Sequence, residues 1–172
     1  MERLLEQLQR DHPTLQFAEG RSFYWSPKTR QVFYGVDRSQ SGLWAILHET
    51  AHALLQHTRY SLDFELLQME VAAWEHAKKL ADKYEIVIDE DHIQDCLDSY
   101  RDWLYKRSIC PSCGNKSIQH DHELRYQCFN CHSTWSVASS RFCRPYRQFK
   151  ETKKSSVAQT TDDSFSKVSL II

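Results

Sequence analysis

The chain of 172 residues contains no apolar run of about 18 residues, the length a helix needs to cross a bilayer. Its first residues, Met1-Glu2-Arg3-Leu4-Leu5-Glu6, carry charge where a secretory signal would be apolar, and no small-residue cleavage site follows. No internal repeat is present, so the chain is not a stacked-repeat array. These absences predict a cytoplasmic protein with no membrane partner. What is present is enough for a core: 41% of the residues are hydrophobic. The length allows one domain of ordinary size, or a small domain with an appendage.

The formal net charge of −1 hides an asymmetry. Residues 1–105 hold 11 Lys and Arg against 18 Asp and Glu, a balance of −7, whereas residues 106–150 hold 8 against 2, a balance of +6. An acidic body with a basic appendage suggests two jobs.

The most informative stretch is His48-Glu49-Thr50-Ala51-His52, set between Leu43-Trp44-Ala45-Ile46-Leu47 and Ala53-Leu54-Leu55. On a helix, positions i and i+4 lie on one face. Two imidazoles so placed can grip one metal ion while the intervening glutamate handles a proton, the pattern of a zinc-dependent peptidase.

Around this motif the pattern reads as follows. Glu2 to Arg10 forms a short helix. The aromatic stretch Arg21-Ser22-Phe23-Tyr24-Trp25, the turn Ser26-Pro27-Lys28-Thr29 and the stretch Gln31-Val32-Phe33-Tyr34 form a hairpin, the only clear sheet. Ser39-Gln40-Ser41 offers an N-cap for a helix running from about Gly42 to His57. A second long helix, from about Leu62 to Tyr84, carries the stripe Leu66, Met69, Ala73, Ala77 and Leu80. Asp89-Glu90-Asp91 caps a further helix ending near Tyr105. The fold class is therefore α+β and helix-rich.

Catalytic zinc ordinarily has three protein ligands and one position left for water. The helix after the motif offers Glu65 and Glu70. Turning about 100° per residue places Glu70 nearer the apolar stripe, where an unpaired carboxylate is costly and a cation relieves the cost. Glu70 is the expected third ligand, and Glu65 is expected to reach water.

The run Leu47-His48-Glu49-Thr50-Ala51-His52-Ala53-Leu54-Leu55, followed by Glu70-Val71-Ala72-Ala73-Trp74, resembles the ImmA/IrrE family of zinc metallopeptidases over about residues 20–85. The resemblance implies a zincin-like domain in which His48, His52 and Glu70 are ligands and Glu49 is the general base. That family commonly has Asn or Asp after the alanine, where this chain has Trp74. The SprT-like family, which joins such a domain to a zinc ribbon, is a second resemblance. It takes its third ligand from a histidine about a dozen residues after the motif. Here His57 lies five residues after His52, on the same expected helix and too close to fold back. For the oxyanion, Tyr60 and Tyr34 are both candidate donors. Tyr60 is carried with Glu49 as a candidate catalytic residue.

Cys110-Pro111-Ser112-Cys113 and Cys128-Phe129-Asn130-Cys131 give the spacing C-x2-C-x14-C-x2-C, a zinc-ribbon pattern. Four thiolates close a tetrahedral site, so this zinc is structural. Tyr126, Phe129 and Trp135 are expected to pack around it, with His120, His122 and His132 at the surface. Cys96 reads as a small hydrophobe, and Cys143 as a spare ligand. The basic residues Lys106, Arg107, Lys116, Arg125, Arg141, Arg144 and Arg147 suit phosphate, which makes nucleic acid a second partner class beside a protein or peptide substrate.

The sequence therefore predicts a zincin-like metallopeptidase domain over 1–105 with a small β-hairpin, a zinc ribbon over 106–149, and a disordered tail over 150–172 that ends in the apolar Val168-Ser169-Leu170-Ile171-Ile172. Two zinc ions are expected, one catalytic and one structural. The expected activity is metalloendopeptidase hydrolysis of an intracellular protein, with Glu49 activating a zinc-bound water. The alternative is a non-catalytic regulator or nucleic-acid adaptor acting through the ribbon.

Overall fold

A computed structural model describes residues 1–121 and 123–138, together with the backbone of the strand Gln148–Phe149. The order of elements is α1 (Glu2–Asp11), β1 (Gln16–Glu19), β2 (Tyr24–Ser26), β3 (Gln31–Tyr34), α2 (Gln40–Leu54), α3 (Asp63–Lys83), α4 (Glu90–Ser108), β4 (Arg125–Gln127), β5 (Thr134–Ser136) and β6 (Gln148–Phe149). The fold is α+β, with four described helices, a small N-terminal sheet and a C-terminal cysteine cluster. No described helix is long and apolar enough to cross a membrane. Cys143, the basic residues Arg141, Arg144 and Arg147, His122 and the 150–172 segment lie outside the described residues.

The expected hairpin is present as the antiparallel pair β2–β3, with Trp25 opposite Val32. A third strand, β1, pairs in parallel with β3, giving the order β1-β3-β2. This leaves β2 at an edge. β2 is also shorter than the aromatic stretch that predicts it, beginning only at Tyr24.

Expected helix boundaries move by a few residues. α2 ends at Leu54 rather than His57, because Gln56 turns into the left-handed region at φ 54° and takes His57 off the helix. α3 begins and ends one residue inside its expected limits. α4 continues through Arg107 to Ser108, carrying the helix beyond the basic appendage's expected start.

Local chemistry explains the caps. Ser39 occupies the N-cap position of α2, but its hydroxyl pairs with Ser41 Oγ at 2.7 Å. The nearby carboxylate of Asp37 instead accepts from the Ser39 amide at 2.8 Å. At Gly42 a side chain is excluded outright, since a Cβ there would stand 2.4 Å from the Asp37 carbonyl oxygen. Asp89 caps α4 by accepting from the Asp91 amide at 3.0 Å.

The main core joins Leu4 and Leu8 of α1, Val32 of β3, Ile46 and Leu47 of α2, Leu80 of α3, and Ile93 and Leu97 of α4. Ala51 on α2 and Ala73 and Ala77 on α3 have no exposed surface. These methyl-sized residues let the two helix backbones approach closely, which brings the polar residues at the same level within reach of one another.

A second core surrounds the cysteine module, built from Cys110, Tyr126, Cys128, Trp135 and Val137. The Tyr126 and Trp135 rings stack at 5.4 Å. Phe129 departs from expectation: it is 70% exposed. Its ring borders an apolar cavity with Phe64, Tyr105 and Ile118 instead of packing around the cysteines. The two knuckles repeat one backbone pattern, in which Gly114 N–H donates to Cys110 O and His132 N–H donates to Cys128 O. Both fifth residues take positive φ, at 74° and 58°.

The module is joined to the body by a buried polar network. Arg107 of α4 donates to Asp63, the first residue of α3, through Nε at 2.6 Å. Tyr126 of β4 donates to the same carboxylate at 2.5 Å. Gln119 accepts from the Asp63 amide at 2.7 Å, and Arg107 also donates to the Ala138 carbonyl at 2.6 Å. Trp135 Nε1–H donates to the Arg107 carbonyl at 3.0 Å.

Candidate metal centres

Among the described residues, two groups of side chains converge tightly enough to hold a metal ion: His48, His52 and Glu70, and the four cysteines Cys110, Cys113, Cys128 and Cys131.

In the first group, α2 presents His48 and His52 one turn apart, with their Nε2 atoms 3.1 Å from each other. α3 brings Glu70 Oε2 to 3.2 Å from His48 Nε2 and 3.6 Å from His52 Nε2. All three residues are buried. Ligands 2.0–2.1 Å from a tetrahedral zinc stand roughly 3.3 Å apart. The donor set and its spacing therefore fit such an ion. Burial alone would push the Glu70 carboxyl upward, but hydrogen bonds and charge from His48 and His52 outweigh it and hold the carboxyl well below the usual range. A carboxylate kept ionised while buried is what a cation site requires.

Glu65 has a different task. Its Oε2 accepts from the amides of Ser61 at 2.6 Å and Leu62 at 3.0 Å, closing the start of α3. It caps the helix rather than reaching free into water.

Glu49, half-buried beside the two histidines, is held from the sheet side. Its Oε2 accepts from the amide of Trp25 at 2.7 Å, so the N–H that β2 turns away from β3 is directed at this carboxylate. The Trp25 indole N–H donates to the carbonyl of His57 at 2.8 Å. One residue of the edge strand thus contacts both Glu49 and the chain just beyond α2.

His57 is the residue that the sequence pattern placed wrongly. Having left the helix, it folds back, and its amide donates to the His52 carbonyl at 3.0 Å. Its Nδ1 lies 2.8 Å from His52 Nδ1, on the side of the ring opposite the converging Nε2 atoms. Burial, followed by the neighbouring His52, lowers its pKa. The five-residue spacing is visible in the sequence, but helical periodicity alone does not show that the chain turns back and sets His57 behind His52.

His48 is held differently. The Trp74 ring stacks on it at 4.2 Å with an interplanar angle of 27°. His48 Nδ1 is buried and has no hydrogen-bond partner among the described residues. An aromatic face has taken the place of a hydrogen-bonding side chain. His92 of α4 packs edge-on against Trp74 at 5.8 Å, and its Nε2 lies 3.7 Å from Cys96 Sγ. Burial raises the Cys96 thiol, as suits a half-buried apolar filler.

Tyr60 lies in the segment between α2 and α3, half-buried. Tyr34 lies on β3, with the Arg38 guanidinium 5.9 Å from its ring centre.

No family model, curated protein or solved structure matches the chain. Geometry and donor chemistry alone define what the site can do.

In the second group, Cys110 and Cys131 sulfurs are 3.6 Å apart, and those of Cys113 and Cys128 are 3.5 Å apart. The backbone N–H of Cys131 draws the Cys128 thiol down to about 6 against the cost of burial, favouring the thiolate that metals bind. His120 and His132 are exposed, as expected.

The basic residues of this module are less available than their number suggests. Arg107 is 1% exposed and paired with Asp63. Arg125 pairs with Asp121 at 2.6 Å and Glu123 at 3.1 Å. Lys116 Nζ sits 4.3 Å from the centre of the Tyr105 ring.

Proposed function

We propose that this chain is a zinc metalloendopeptidase of ImmA/IrrE-like type acting on an intracellular protein, with a zincin-like domain and a C-terminal zinc ribbon. One observation carries the reading: two imidazole nitrogens and a buried carboxylate oxygen converge beside a second glutamate. Four-coordinate zinc suits that set and leaves one position for solvent.

When bound there, zinc supplies Lewis acidity and a lowered pKa for water. His48, His52 and Glu70 would hold it, and α2 and α3 fix their spacing. Glu49 accepts the proton from the attacking water and returns it to the leaving nitrogen. The Trp25 amide fixes the Glu49 carboxylate during this work. β2 lies at the edge of the sheet, the side on which an extended peptide would add as a strand, although its outward Trp25 N–H is taken by Glu49. Tyr60 remains the candidate donor to the oxyanion. The four cysteines hold a second, structural zinc.

Substituting Glu49→Gln keeps the shape and removes the base. Two zinc ions per chain are expected to remain bound while peptide cleavage is abolished. A proteome-wide comparison of cells expressing the parent and the Glu49→Gln chain measures the cleavage, and metal analysis of the two purified chains measures the zinc. Equal cleavage by both would overturn the assignment of the base.

The +6 balance of residues 106–150 favours a second reading, a non-catalytic adaptor that contacts nucleic acid. It predicts one zinc per chain, bound by the cysteines only. The pairing of Arg107 and Arg125 within the protein weighs against it.

A further inference from the structure

We infer that His57 is a positioning residue for the candidate metal centre, fixing the tautomer and ring plane of His52 so that Nε2 is the atom offered to the ion. This rests on the metal-site part of the reading above and is independent of whether a peptide is cleaved.

The geometry is specific. His52 Nε2 lies 3.1 Å from His48 Nε2 and 3.6 Å from Glu70 Oε2, and to share an ion with them Nε2 must present its lone pair. A neutral imidazole with a lone pair on Nε2 carries its proton on Nδ1. The atom facing that proton is His57 Nδ1, at 2.8 Å. His57 Nδ1 is therefore the acceptor, and the His57 proton lies on Nε2. Each ring fixes the tautomer of the other.

His57 is itself held on two sides. Its amide donates to the His52 carbonyl, and its own carbonyl accepts from the Trp25 indole. The left-handed turn at Gln56 brings it there. A ligating histidine is ordinarily oriented by a carboxylate, a backbone carbonyl or water; here the acceptor is another imidazole. The need is sharper because His48 Nδ1 has no such partner among the described residues. Among the described residues, the hydrogen bond that orients a ring of the ligand pair from behind comes from His57.

The test is a zinc competition titration on the full chain, with the ion held by the cysteines as an internal reference. His57→Ala should weaken binding at the His48–His52–Glu70 site by roughly 10–100-fold and leave the cysteine-bound ion unchanged. His57→Asn, whose Oδ1 can accept the same proton, should recover most of that loss. Trp25→Phe removes the indole donor together with part of the ring and should give a smaller loss. Nitrogen chemical shifts of the parent before zinc is added should report His52 as the Nδ1–H tautomer, and His57→Ala should give a mixture of the two tautomers. Should His57→Ala prove unfolded by circular dichroism, the Asn and Phe variants decide the matter. Parent-like affinity in His57→Ala, an Asn variant no better than the Ala one, or a parent that binds only one ion would each overturn the inference. Two ions in the parent, with His57→Ala losing one and no peptide cleaved by any form, would uphold His57 while sinking the peptidase reading.

Discussion

Two glutamates five residues apart on one helix show how position divides identical chemistry. Glu65 spends its carboxylate on the amides of Ser61 and Leu62, whereas Glu70 turns inward to the two histidines. Glu65→Ala should therefore behave as the loss of a helix cap, lowering stability by about 1 kcal/mol in a denaturant titration while both zinc ions stay bound. Glu70→Gln should do the reverse: the fold persists, and the zinc held by the histidines is lost in the competition assay. A Glu70→Gln chain that keeps that zinc at parent affinity would remove Glu70 from the ligand set. Much of this division was legible in the sequence, because the helical angle of Glu70 against the apolar stripe brings it toward the core. The roles of Trp74 and His57 were not. Trp74 stacks on His48 across two helices, and His57 depends on a left-handed residue at Gln56 that no glycine or asparagine announces.

At the scale of elements, the seam between α2 and α3 decides whether three ligands share a centre. Ala51, Ala73 and Ala77 are fully buried there. Ala73 lies one turn from Glu70, so Ala73→Leu must push the helices apart at the level of the site. The expected cost is about 1–3 kcal/mol by thermal or chemical unfolding, together with weakened zinc binding, whereas a surface substitution such as Lys79→Ala should change neither. The helices themselves were readable from their 3.6-residue apolar pattern, to within a few residues at each end. β1 was not. It is four residues long, has one large apolar side chain, Phe17, and is held by parallel pairing to a strand 15 residues away. Neither alternation nor local turn chemistry signals such a pairing. α4 ran past its expected end for a related reason: Lys106 and Arg107 look like the start of a basic surface, but Arg107 has a buried partner far away in sequence.

At the scale of the whole molecule, the charge count suggests an acidic body with a basic appendage, yet the junction is among the most buried polar structures of the described residues. Asp63, Arg107 and Tyr126 come from α3, α4 and β4, and the first two are 0% and 1% exposed. A buried pair of this kind adds little net stability over an apolar substitute, but breaking it from one side leaves a charge stranded. Asp63→Ala leaves the Arg107 guanidinium facing the Trp103 ring, 4.3 Å away, without its carboxylate. The expected cost is about 3–5 kcal/mol. Tyr126→Phe removes one hydrogen bond to a charged group and should cost about 1.5–3 kcal/mol. Pairing Asp63→Ala with Arg107→Met removes both charges and should recover a large part of the loss. Because Asp63 is the first residue of the helix that carries Glu70, the Asp63→Ala chain should also bind zinc less tightly at the histidine site, seven residues away, with no ligand altered. Denaturant unfolding and zinc competition on the three chains measure both effects. If the double substitution is no more stable than Asp63→Ala alone, the stranded charge is not the source of the loss, and the junction is held by the packing of Tyr126 and Trp135 instead.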